Sequence, residues 1–178
     1  PDGEVSNVIG NSVAAYEFGA AYNFEDFDLN ITRLFYLEDG VSRRFRSPWD
    51  GVWGLNLILD DEQSPVSALT YEHINTKQQD AKPNEEYGRA QYYNHSIYRD
   101  GWSNYDRVLG IPLFIYDGAS DRITDNMIVG HHIGIKGHIT PEISYKGLAT
   151  YARNYGLGVG RAPRGTIDFD ERRKDQYS

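Results

Sequence analysis

The chain has 178 residues, no cysteine and a formal net charge of −8, with 26 acidic against 18 basic side chains. That length suits one domain or a piece of a larger one, and the acidic balance argues against a nucleic-acid binder, which presents a basic face. The longest uninterrupted apolar run is about five residues against the roughly 20 of a membrane helix, so helical spans are excluded, and with no cysteine so are disulfide scaffolds and thiolate chemistry.

Strand-period patterns dominate the rest. Residues 15–22 alternate, with Tyr16, Phe18, Ala20 and Tyr22 on one side and Glu17, Gly19 and Ala21 on the other. A short polar turn leads to a second strand at 28–36, where Arg33 and Leu34 break the alternation. After an Arg-rich connection, a third strand at 52–59 puts Trp53, Leu55, Leu57 and Leu59 on one face. A fourth at 67–76 sets Leu69 and Tyr71 opposite Thr70 and Glu72. The pattern then stops over 77–126. A fifth strand at 127–139 carries Val129, His131, Ile133 and Ile135 on one face and Gly130, His132, Gly134 and Lys136 on the other. A tight turn leads to a sixth strand at 143–155, neither of whose faces is purely apolar, and the tail is polar.

The connections alternate short and long. Outer-membrane barrels follow that rhythm, with tight periplasmic turns, long outer loops and strands of about 9–11 residues that alternate lipid-facing and lumen-facing positions. The lumen positions would include Glu17, Glu72, His132 and Lys136, which a dry sandwich core would bury at a cost. Six strands do not close a membrane barrel, and an open sheet in lipid leaves unpaired edges, so on this reading the chain is an incomplete barrel. The pattern alone leaves a soluble β-domain equally open.

The stretch 91–102 packs Tyr92, Tyr93, Tyr98 and Trp102 among Asn94, Arg99 and Asp100. Aromatic faces stack on sugar rings while amide, carboxylate and guanidinium groups bond hydroxyls. The plainer alternative is a long loop packed on its own aromatics, and both can hold. Arg44 and Arg46 flank Phe45 and suit the carboxylates or phosphates of anionic glycans and lipopolysaccharide, or ion pairs with neighbouring acidic loops. His131 and His132 point to opposite faces of a strand and do not chelate one ion together, and His132 and His138 share a face but lie about 20 Å apart, so no metal site is expected. No Gly-x-Ser-x-Gly elbow, phosphate loop or spaced carboxylate pair is present, and the reading is of a non-enzyme without cofactor.

At Glu38-Asp39-Gly40, Arg44-Phe45 and Asp50-Gly51-Val52-Trp53-Gly54 the chain resembles the capsule assembly Wzi family of Gram-negative outer-membrane proteins, in its Bacteroidota-type branch. The stretch from Tyr92 to Trp102 followed by Gly110-Ile111-Pro112-Leu113-Phe114 is similar to another segment of that branch, as are His131-His132-Ile133-Gly134 and Thr150-Tyr151-Ala152-Arg153-Asn154-Tyr155-Gly156. The resemblance implies a non-catalytic barrel in the bacterial outer membrane that binds or organises capsular polysaccharide as a lectin. The matching motif carries over Tyr92, Tyr93, Asn94, Tyr98, Gly101 and Trp102. The polysaccharide-binding candidates are Tyr92, Tyr93, Asn94, Tyr98 and Trp102 of these, together with Arg99 of the same loop and with Arg44 and Arg46 attracting acidic sugars on the reading of the residues themselves. A secreted lectin or glycan-processing domain is the first alternative, and a porin-like channel the second.

Overall fold

In the computed structural model, which describes residues 13–38, 47–95, 100–158 and 162–178, strands form where the sequence alternates. They are β1 (Val13–Asn23), β2 (Phe27–Glu38), β3 (Gly51–Leu59), β4 (Ala68–Asn75), β10 (Ile128–Thr140) and β11 (Ile143–Asn154). The connection after β4 carries five short strands: β5 (Glu85–Tyr87), β6 (Ser103–Asn104), β7 (Arg107–Val108), β8 (Ile115–Asp117) and β9 (Arg122–Asp125). The tail adds β12 (Ala162–Pro163), a one-turn helix α1 (Phe169–Arg172) capped by Asp168, and β13 (Lys174–Tyr177).

The chain is mostly β. Its main sheet has seven strands in the order β1-β2-β3-β4-β10-β11-β13, and every neighbouring pair is antiparallel. This is an all-β antiparallel meander, with β1 and β13 as its two edges. The seventh strand was not anticipated: Lys174-Asp175-Gln176-Tyr177 has no apolar alternation, and it is held by pairing with residues 151–154. Because the meander reverses at every step, the short turns fall at one end of the sheet and the long connections at the other.

Register then decides what each face carries. One row runs Phe18–Arg33–Trp53–His73–His131–Tyr151–Tyr177 and the next but one Ala20–Ile31–Leu55–Tyr71–Ile133–Ala149. This face is apolar and open: Phe18, Tyr22, Ile31, Leu55, Leu69 and Ile133 are all at least 40% exposed. The opposite face carries the row Gly19–Thr32–Gly54–Glu72–His132–Thr150, with Asn30, Asn56, Thr70, Lys136 and Lys146 beyond it towards the short turns. Glu17, Glu72, His132 and Lys136 share that polar face, as their alternation required.

The two breaks in β2 have separate causes. Leu34 lies on the polar face, where the long connection covers it. Arg33 lies on the apolar face but is only 6% exposed. Its guanidinium donates to the carbonyls of Leu34 (2.5 Å), Val52 (3.2 Å), Pro48 (2.7 Å) and Asp50 (2.6 Å). It also lies over the rings of Phe35 (4.0 Å) and Trp53 (4.7 Å). The charge is spent on backbone oxygens of the 47–52 turn, so the rim of the apolar face carries no free cation there.

The core sits between the polar face's rim and the long connection. Tyr36, Ala90, Tyr92, Val108, Ile111, Phe114, Ile123 and Ile128 are buried together, packed on Leu34, Val52 and Ile74. A second, smaller cluster of Tyr87, Met127, Tyr155 and Ala162 anchors the tail.

Candidate functional site

At the end bearing the long connections, the polar face turns apolar. Leu34, Val52, Ile74, Gly130 and Ala152 form one row across five strands, and the connection lands on it. Gly130 matters here: a Cβ at that position would lie 2.8 Å from Ile74 and 3.3 Å from Leu113, so the missing side chain is what lets Leu113 come down on the sheet.

Buried polar groups fix the connection in place. Asp50, 2% exposed, accepts the backbone N–H of Gln78 on Oδ1 (3.1 Å), and on Oδ2 the N–H of Gln79 (2.6 Å) and the Tyr92 hydroxyl (3.0 Å). The fully buried Asn126 accepts Gln79 Nε2 (3.1 Å) and the Gly158 N–H (3.0 Å) on its Oδ1, and donates through Nδ2 to the Tyr92 carbonyl (3.1 Å). Burial pushes the Asp50 carboxyl up to about 7, against the pull of its two backbone donors, Tyr92 and Arg33. Burial, with the Asp50 carboxyl beside it, also raises the Tyr92 phenol well above its ordinary value.

These contacts decide where the predicted loop residues stand. Tyr92 is 2% exposed, with its ring 5.4 Å from that of Tyr36, so its faces are occupied by protein. Tyr93 is half-buried, edge-on to Tyr36 and Phe114, and its backbone N–H donates to the Glu38 carboxylate. Asn94 and Trp102 are partly exposed, and the Trp102 N–H donates to the Tyr93 carbonyl (3.0 Å). The structure thus brings Tyr93 and Trp102 together through their backbones, with Asn94 next in the chain. Arg44, Arg46, Tyr98 and Arg99 lie outside the described residues. The self-packed loop is realised in Tyr92, while Tyr93, Asn94 and Trp102 keep open surface.

A feature the sequence did not mark lies beneath the loop. A cavity of about 680 Å³ opens between the sheet's polar face and the segment 110–113, with Tyr36, Ile111 and Leu113 on its apolar side. Its polar side is Glu72, His132 and Thr150, three consecutive members of one row, with His132 Nδ1 2.8 Å from Thr150 Oγ1. An aliphatic and aromatic lip above hydrogen-bonding groups suits a polyhydroxylated ligand. The alternation that put Glu72 and His132 on one face was legible; that the connection roofs them was not. Among the described residues, no group of three or more metal-ligating acidic, histidine or cysteine side chains converges.

Compared with family models, curated proteins and solved structures, the chain matches none of them.

Proposed function

We propose that this chain is a segment of an outer-membrane β-barrel whose long connection folds into the lumen, and that it binds or organises surface polysaccharide without catalysing a reaction. The observation that carries the reading is the inversion of the sheet. The apolar face is exposed along its length, with no Asp, Glu, Lys or Arg in the rows between Arg33 and the short turns, while the core forms against the polar face only at the long-connection end and leaves the rest of that face open as well. In water a continuous exposed apolar face of this kind is an aggregation liability; in lipid it is the ordinary exterior of a barrel. Aromatic rings at both ends of the face, Trp49, Trp53 and Tyr151 at one and Tyr22, Phe24 and Tyr145 at the other, suit the two membrane interfaces. On this reading further strands pair with β1 and β13, since a membrane does not tolerate open edges.

The polysaccharide part rests on the resemblance to the capsule assembly Wzi family and on the cavity's chemistry. Tyr93, Asn94 and Trp102 form the accessible loop surface, and Glu72, His132 and Thr150 the polar floor. Both lie at the end of the sheet that bears the long connections. That end faces outward in such barrels.

The test is fractionation of the native polypeptide that contains this segment. The reading expects it in the outer membrane, resistant to carbonate, and migrating faster on a detergent gel before boiling than after. A soluble product of about this chain's size, stable without detergent, sinks the barrel and leaves a secreted β-domain. With insertion established, Trp102→Ala and the His132→Ala/Thr150→Val pair should each lower retention of surface polysaccharide; unchanged retention in both removes the glycan role.

A further inference from the structure

His131 has a neighbour that the sequence hides. Its Cα partner on β4 is His73, and the two imidazole rings lie 4.8 Å apart, centre to centre, inclined at 33°. Each ring is held by its Nδ1. His73 Nδ1 is 3.1 Å from the Gly130 carbonyl, which fixes the proton on Nδ1 and leaves Nε2 with its lone pair. His131 Nδ1 is 2.7 Å from the Tyr71 hydroxyl, a partner that either donates to that nitrogen or accepts from it, so the ring can also present a bare Nε2. Both histidines are partly exposed and Tyr71 is 39% exposed, so the pair opens outward at the rim of the apolar face.

The geometry points to a bis-imidazole site for a divalent first-row transition ion, of the copper or zinc type, clipping β4 to β10. An ion about 2.0–2.1 Å from a ring nitrogen lies roughly 3.2 Å from the ring centre. For an ion that both Nε2 atoms reach, two centres 4.8 Å apart would subtend roughly 95–100°, between the square-planar and tetrahedral angles. Imidazole is the side chain such ions favour, and an oxygen on the second ring nitrogen orients it and raises its basicity. Water or a small anion completes the coordination, since the described residues contribute no third ligand. The clip would join two strands that are adjacent in the sheet but separated by the whole 76–127 connection. Ion binding to the folded sheet alone would therefore stabilise this seam by mass action. The inference rests on the register of the sheet and holds whether that face meets lipid or water.

The experiment uses the untagged native protein, in detergent where it needs one, titrated with Cu²⁺ by calorimetry and by electron paramagnetic resonance. The expected result is one strong site whose superhyperfine pattern shows two equatorial nitrogens, displaced by excess Zn²⁺. His73→Gln and His131→Gln should each weaken binding at least tenfold and reduce the pattern to one nitrogen, with the circular dichroism of the sheet retained. Tyr71→Phe should weaken it several-fold, and His138→Ala should leave it unchanged. Equal affinity in the wild type and both glutamine variants, or a one-nitrogen signal in the wild type, overturns the site. Because glutamine keeps the size and polarity of the position, loss of binding in a folded variant reports the ligand and not the strand.

Discussion

At the residue scale, the turn that opens β3 is the most tightly determined point in the structure. Gly51 has φ +119°, and a Cβ there would lie 1.9 Å from the Leu34 carbonyl oxygen and 2.5 Å from Arg33 Nη1. Gly51→Ala therefore has to displace the carbonyl that Arg33 binds as well as adopt a left-handed backbone. It should lower stability by roughly 2 kcal/mol or more, read as a fall in unfolding midpoint; a shift within error would mean the turn relaxes freely. Asp50, beside it, makes stability depend on pH. Its carboxyl ionises near 3.8 unfolded but near 7 in the fold, so the folded state keeps a proton that the unfolded state has released. Stability is then fullest below about pH 4 and falls as pH rises through about 7. The three-unit gap caps the effect at roughly 4 kcal/mol. Asp125, 3% exposed and raised by burial to about 6, acts in the same sense. Asp50→Asn should flatten most of the decline between pH 4 and 7. Unfolding midpoints measured across that range in both proteins test it, and parallel curves would show that the three donors keep Asp50 ionised.

At the scale of elements, the six long strands and their antiparallel meander order were legible, and the register and the added short strands were not. Period-two alternation is a local signal, so the six long strands were found within one or two residues of their ends. The β6–β7 hairpin was missed because its turn is Tyr105-Asp106, both with positive φ (48° and 60°), where Asn-Gly is the recognisable pair. The tail strand β13 was missed because only pairing defines it. The candidate loop was legible as a cluster of aromatics, yet nothing local said that Tyr92 would point into the core while Trp102 stayed half-open. That choice is made by Asp50 and Asn126, residues far from it in sequence. The same distance hides His73 from His131. The connection is a cooperative unit resting on few side chains, and Phe114, 5% exposed against Tyr93, is one of them. Phe114→Ala should cost about 3–5 kcal/mol locally and loosen 77–126 while the sheet persists. Limited proteolysis should then cut within 77–126 and leave the long strands protected; cleavage spread through the sheet would instead show that loop and sheet unfold together.

At the scale of the whole molecule, the two faces of one sheet pose the question that decides between environments. Leu55 and Asn56 are consecutive on β3, the first 41% exposed on the apolar face and the second on the polar face, where Thr70 donates to its side-chain oxygen (2.8 Å). In a water-soluble sheet, Leu55→Arg adds charge to an exposed surface and changes stability by no more than about 0.5 kcal/mol. In a barrel, the same change puts an arginine in hydrocarbon near the membrane's midplane and costs roughly 2–4 kcal/mol. Asn56→Arg reverses the comparison: a lumen position accepts the charge, whereas a dry second layer packed on the polar face would not. The barrel reading therefore expects Leu55→Arg to reduce folding yield in lipid vesicles sharply, with Asn56→Arg close to wild type. Equal yields for both, or greater damage from Asn56→Arg, would place water on the apolar face and a second protein layer on the polar one. The inverted sheet would then be an interface between protein layers and not between protein and lipid.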